Sequence, residues 1–177
     1  MVEVREATPD DARAIATVHV ASWRAAYRGL MPDEVLAGLS VPDRERSWLD
    51  RLTAQAPRTR TVLATDGPTV LGFASTGPPL VPEDRPDPDL GDLYAVYLDP
   101  GVWGRGVGTR LHAAALDSLR DCGFTRAGLW VLDGNERALR FYRREGWVDT
   151  GRTRLDRGPG GITLHERRLL RPSVSNP

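Results

Sequence analysis

Residues 93–119 of the chain read LYAVYLDPGVWGRGVGTRLHAAALDSL. The apolar, β-branched and aromatic run 93–98 has the character of a buried strand. Asp99-Pro100 turns the chain, and Gly104-Arg105-Gly106-Val107-Gly108-Thr109 forms a glycine-dense loop. Val107, Leu111, Ala114, Ala115 and Leu119 then recur at helical spacing until Cys122-Gly123. Strand, loop and amphipathic helix in this order offer free backbone N–H groups and a helix N-terminus to an anion. Glycine suits the loop because it adopts positive φ, and because a Cβ would hold phosphate oxygens away from the amides. The stretch predicts a site for a phosphate-bearing ligand.

Upstream, 2–5 alternates as a short strand, and Thr8-Pro9-Asp10-Asp11 is a helix start with Thr as cap, Pro in the first position and acids in the first turn. The helix carries Ala12, Ile15, Ala16, His19, Trp23 and Ala26 on one stripe and ends near Arg28-Gly29. Pro32-Asp33-Glu34 and Pro42-Asp43 open two further helices, the last closed by Ala56-Pro57. From Thr61 the period becomes two: 61–65 and 70–75 read as strands joined by the turn Asp66-Gly67-Pro68. The proline- and acid-rich 78–91 reads as a long loop. After the central stretch, 127–132 is a buried strand, and Asp133-Gly134-Asn135 leads into a short helix stopped by Gly146. Strands at 147–150 and 162–169 flank the turn 156–161. This order predicts an α/β (α+β) protein: one domain over 1–170, a mixed central sheet of about six to seven strands, helices on both faces, and a disordered tail over 171–177.

Composition excludes several classes. The 24 arginines balance 24 acids, and no basic run is present, so neither nucleic acid nor a membrane is an expected partner. The chain contains no lysine, which removes the GxxxxGK[ST] phosphate loop and any Schiff-base mechanism. Cys122 is the single cysteine, so no internal disulfide forms and a reducing, cytoplasmic location is expected. No targeting segment or membrane-length apolar run is visible. His19, His112 and His165 sit on three separate elements and suggest no metal site.

Two phosphate-binding folds compete for the loop. A dinucleotide site needs G-x-G-x-x-G after the first strand and an acid about twenty residues on. Here Thr109 replaces the third glycine, and the loop arrives mid-chain. The segment instead resembles the acyl-CoA loop [QR]-x-x-G-x-[GA] of the GCN5-related N-acetyltransferases (GNAT superfamily), as Trp103-Gly104-Arg105-Gly106-Val107-Gly108, with Trp103 in place of Gln or Arg. Asn135-x-x-Ala138-x-x-Phe141-Tyr142-x-x-x-Gly146-Trp147 resembles the second signature of that family, N-x-x-A-x-x-x-Y-x-x-x-G-[FW].

The resemblance implies a GNAT fold whose fourth and fifth strands splay apart, and an N-acyltransferase that uses acetyl-CoA in a direct ternary complex. It implies that Val96, Tyr97 and Leu98 pair with the pantetheine arm, as in strand addition. The N–H groups of Arg105, Gly106, Val107, Gly108 and Thr109, with Gly104, receive the pyrophosphate, and Asn135 acts as helix cap and pantetheine contact. Tyr142 is the implied general acid for the thiolate, and Asp92 the implied base, with Tyr94 two residues on ordering a water. Trp23 and Tyr27 are expected at the acceptor. A small-molecule amine acceptor is favoured over a protein N-terminus or lysine, because the three helices before the hairpin suggest a closed cap. An O-acyltransferase and a non-catalytic CoA-binding module also fit the two motifs, and a homodimer is compatible with the family.

Overall fold

The computed structural model describes residues 1–175 of the 177-residue chain. Its elements are β1 (Val2–Glu6), α1 (Ala12–Ala26), α2 (Asp33–Ala37), α3 (Val41–Ala54), β2 (Arg60–Asp66), β3 (Thr69–Gly77), β4 (Leu90–Leu98), α4 (Val107–Asp121), β5 (Arg126–Leu132), α5 (Glu136–Arg144), β6 (Val148–Arg157) and β7 (Thr163–Arg171). The strands form one seven-stranded sheet in the order β1-β2-β3-β4-β5-β7-β6. All neighbours are antiparallel except β4 and β5. This is the expected mixed sheet. Among the described residues no helix is long and apolar enough to cross a membrane.

Helices cover both faces. On one, Ile15, Ala16 and Val18 of α1 and Trp48 of α3 pack on Leu63 and Phe73. On the other, Val107, Leu111, Ala115 and Leu119 of α4, with Leu139 of α5, pack on Ala74, Leu93, Leu129 and Val131. The expected stripes of α1 and α4 are therefore their buried faces. Asp11 holds the entry to α1: its carboxylate accepts the Thr8 N–H at 2.8 Å and pairs with Arg5 at 2.7 Å, and the Arg5 guanidinium is the main reason its pKa is lowered to about 2.

Strand β4 decides the shape of the centre. It pairs with β5 only at Leu90, Gly91 and Asp92, opposite Arg126, Ala127 and Gly128. Beyond that point β4 continues on β3, β5 continues on β7, and the sheet opens between them. The register with β3 shifts at Ser75/Thr76, where Ala95 faces Ser75 but Leu93 faces Thr76, so Tyr94 is a bulged residue. The bulge breaks the alternation. Leu93 belongs to the α4 side, whereas Ala95 and Tyr97 pack on the α1 and α3 side.

At the last paired position Asp92 is 3% exposed and Arg168 of β7 is fully buried. Arg168 donates from Nη1 to Asp92 Oδ2 at 3.1 Å and from Nη2 to Oδ1 at 2.7 Å. Gly128 lies between them, where a Cβ would fall 2.8 Å from Asp92 Oδ1 and against the guanidinium. Asp84, from the long loop, places Oδ2 3.0 Å from Arg168 Nη2, near enough for charge pairing though poorly aligned for a hydrogen bond, and accepts from Arg152 through Oδ1 at 2.8 Å.

Three expectations change. The β4 strand begins at Leu90, inside the stretch read as loop, because Gly91 lets the chain pass where a Cβ would meet Leu119 and Phe124. Strand β6 runs to Arg157, well past residue 150. The tail expected to be disordered from 171 is instead placed as far as it is described: Arg171 ends β7, and Val174, 3% exposed, packs in the α4-side core and donates its N–H to Thr125 O at 3.0 Å. Residues 176–177 lie outside the described residues. Removing one partner of a buried ion pair leaves an uncompensated charge. Asp92→Ala should therefore lower unfolding stability by about 3–5 kcal/mol in urea titration, and the double variant Asp92→Leu/Arg168→Met should recover most of that loss.

Candidate active site

A cavity of about 670 Å³ passes through the opening between β4 and β5 and reaches both faces of the sheet. On the α4 side it is lined by Val96, Leu98, Trp103, Gly104, Gly106, Gly108, Thr109, Asn135, Arg137, Phe141 and Tyr142. On the α1 side its walls are Trp23, Tyr27, Met31, Tyr94, Tyr97, Trp130, Leu164 and Glu166. The two regions expected from sequence to hold cofactor and acceptor thus share one space.

The loop comes out with a smaller donor set than expected. Gly106 caps α4 at φ 78°, and the first-turn amides of Val107, Gly108 and Thr109 have no intrahelical acceptor. The Arg105 N–H instead turns back to Val102 O at 3.4 Å, and its side chain is exposed. Val107 offers its amide alone, since its side chain is buried in the core. Beneath the loop, Thr109 donates to Glu145 at 3.2 Å, and His112 Nε2 accepts from the Trp147 indole at 2.9 Å. Burial lowers the His112 pKa to about 4, so the ring is neutral and can accept. Trp147, the aromatic that ends the second signature, is therefore a core residue that ties α5 to α4.

Asn135 caps α5, its Oδ1 accepting from Ala138 N at 3.2 Å, and its amide group still borders the cavity. Tyr142 packs edge-on against Phe141 and Trp147, and its hydroxyl has no protein partner among the described residues. Burial raises its pKa, with a smaller contribution from Tyr97.

Asp92 and Tyr94 do not sit as expected. Both oxygens of Asp92 accept from Arg168, so the carboxylate is a strut of the sheet. The Tyr94 hydroxyl is turned to the carbonyl of Pro78, because the bulge swings the side chain out of register with Asp92. Trp23 and Tyr27 line the α1 side of the cavity, and the Tyr27 and Tyr97 hydroxyls lie 3.4 Å apart.

A carboxylate held through one oxygen, Glu166, lines the α1 side of the cavity, and sequence reasoning passed over it. Glu166 pairs with Leu132 at the open end of β5, and its Oε2 accepts from Arg154 Nε at 2.6 Å. Burial raises its pKa against the opposing effect of Arg154. The signal was present in the alternation of Leu164, Glu166 and Arg168, which puts two charges on the inward face of a strand. Trp130, flanked by Arg154 at 4.5 Å, was missed for want of any motif.

Residues 22–147 match the family model described as the acetyltransferase (GNAT) family. This chain belongs to the GNAT acetyltransferase family. It is 34% identical over 143 residues to the uncharacterized N-acetyltransferase YuaI of Bacillus subtilis, across 81% of this chain and 78% of that protein. A mycothiol acetyltransferase of Rhodococcus erythropolis is 41% identical over 83 residues, 47% of this chain but 27% of that relative. Among solved structures, the PaiA N-acetyltransferase of Thermoplasma acidophilum in complex with coenzyme A superposes at a TM-score of 0.70 with 18% identity, covering 94% of this chain and 98% of that one. The structure of yncA from Salmonella typhimurium with its cofactor acetyl-CoA also gives 0.70 at 18% identity, covering 100% and 96%. At these identities the likeness is one of fold.

All four tyrosines of this GNAT chain line the one cavity, and burial raises each phenol, Tyr94 to about 12. A phenol with a raised folded pKa contributes stability below its unfolded value of about 10 and loses it as pH rises further. Phenolate absorbance should accordingly stay near zero at about pH 10 in the native protein, appear on unfolding, and coincide with falling stability at higher pH.

Proposed function

We propose that this protein transfers an acetyl group from acetyl-CoA to the primary amine of a small molecule, directly and within a ternary complex. The continuity of the cavity carries the reading: one opening joins the loop amides to an aromatic chamber containing a carboxylate. Family membership supports the acyl donor, as do the neighbours crystallised with coenzyme A or acetyl-CoA. The amides of Gly106–Thr109 and the α4 N-terminus suit the pyrophosphate, and the backbone of Val96–Leu98 suits the pantetheine amides. A small acceptor is supported by the cap of α1 and α2, where Tyr27, Met31, Leu36 and Leu39 pack with Leu164 beside the cavity. The mycothiol acetyltransferase relatives are consistent with an acceptor of that size. The single cysteine supports a reducing, cytoplasmic setting.

In the proposed chemistry the amine nitrogen attacks the thioester carbon, a C–N bond forms, and the C–S bond breaks. A proton must leave the nitrogen, because an alkyl ammonium holds it to about pH 10. Glu166 takes the role expected of Asp92: Arg154 fixes one oxygen, and burial makes the carboxylate a stronger base than an exposed one. The departing sulfur takes a proton or a hydrogen bond from Tyr142. Its raised pKa keeps the phenol protonated over the working range, so donation is coupled to the charge developing on sulfur.

Thiol release from acetyl-CoA over a panel of amines tests this reading. Tyr142→Phe should lower kcat by about a hundredfold or more while CoA still binds. Wild-type protein that binds CoA but releases thiol with no amine would favour the binding module; reaction with a peptide N-terminus or lysine alone would favour a protein acceptor. With a reactive amine in hand, kcat/KM should fall as pH drops through a value above the ordinary glutamate range, since Glu166 must be ionised to act. Glu166→Gln should remove that limb.

A further inference from the structure

The loop departs from its family at Trp103, and the structure offers a reason. The Trp103 indole N–H donates to Leu98 O at 3.1 Å, which fixes the ring at the mouth of the cavity. Over that ring lies Arg137, its Cζ 3.3 Å from the ring centroid. Arg137 comes from the first turn of α5, two residues after the Asn135 cap, and both members of the pair line the cavity beside Gly104 and Gly106. A guanidinium stacked flat on an aromatic face keeps its in-plane N–H donors free.

No carboxylate pairs with Arg137, and its side chain makes no hydrogen bond among the described residues. Arg144, the other arginine at this end of the cavity, likewise has no ion pair among the described residues. Arg152, Arg154, Arg167 and Arg168, by contrast, all hold carboxylates. The one acid lining this end, Glu145, is engaged by Thr109 and lies 3.6 Å from His112. A chain of zero net charge thus leaves uncompensated cations beside the anion loop.

We propose that Trp103 and Arg137 form a composite phosphate contact for the nucleotide end of coenzyme A. Arg137 presents its N–H edge to a phosphoryl group next to the loop amides, and Trp103 is the positioning residue that holds the guanidinium there. The pair supplies from α5 the polar contact that the family's loop carries at position 103 itself. This rests on the reading that the cavity binds acyl-CoA.

Calorimetric titration with CoA, dephospho-CoA and S-acetyl-pantetheine tests the contact without any acceptor. Arg137→Gln should weaken CoA about tenfold and reduce the salt dependence of binding, with acetyl-pantetheine unaffected. Retention of the loss with dephospho-CoA assigns the contact to the pyrophosphate, and its disappearance assigns it to the 3′-phosphate; either supports the proposal. Trp103→Ala should cost a similar factor, Trp103→Phe less, and Trp103→Ala/Arg137→Gln no more than the worse single variant. Unchanged CoA affinity in folded Arg137→Gln, or an equal loss for acetyl-pantetheine, would overturn the contact. Wild-type protein that binds no CoA would overturn the proposed function itself, and this contact with it.

Discussion

A guanidinium buried against a carboxylate, Arg168 on Asp92, marks the line at which this sheet changes character. On one side of it β4 and β5 are hydrogen-bonded; on the other they part and leave backbone groups without a strand partner. Two charges taken from water are tolerable only when each satisfies the other with good geometry. Here the pairing is bidentate, Gly128 makes room for it, and Asp84 adds a second carboxylate. The pair bridges β4 to β7 across β5, so the opening is held from outside the two strands that form it.

The two halves of the site follow from that opening. A sheet separates its faces, and a gap within it is the direct route by which a ligand lying on the α4 side reaches one on the α1 side. The Tyr94 bulge sharpens the division by sending Leu93 to one core and Ala95 and Tyr97 to the other. Charge is divided as well. Arg152, Arg154, Arg167 and Arg168 of β6 and β7 are neutralised by acids, while Arg137 and Arg144 of α5, which line the cavity, have no ion pair among the described residues. The overall balance of 24 and 24 conceals this segregation.

Much of the architecture was legible because its signals are local. The helical stripes of α1 and α4, the turn at Gly67 and the Asn135 cap of α5 each lie within a few residues, and the glycine loop and Asn135–Trp147 signature name the family. What escaped is long-range. Asp92 looks like a candidate base until its partner, 76 residues away, is seen to occupy both oxygens. The Tyr94 bulge depends on β3, and the early start of β4 depends on Gly91 fitting under Leu119 and Phe124. Val174 reads as tail because its burial is supplied by a core built from other elements. Glu166 was the avoidable miss, since a charge at an inward strand position asks for a reason.

The central claim is that the β5-facing side of β4 beyond Asp92 is an unpaired edge completed by the acyl donor. Amide hydrogen exchange, read residue by residue with and without acetyl-CoA, tests it most directly. Residues 94–98 and 106–109 should exchange more slowly when acetyl-CoA is bound, while residues 90–92, already paired with β5, should not change. Unaltered exchange at 94–98 in the presence of bound acetyl-CoA would contradict the account.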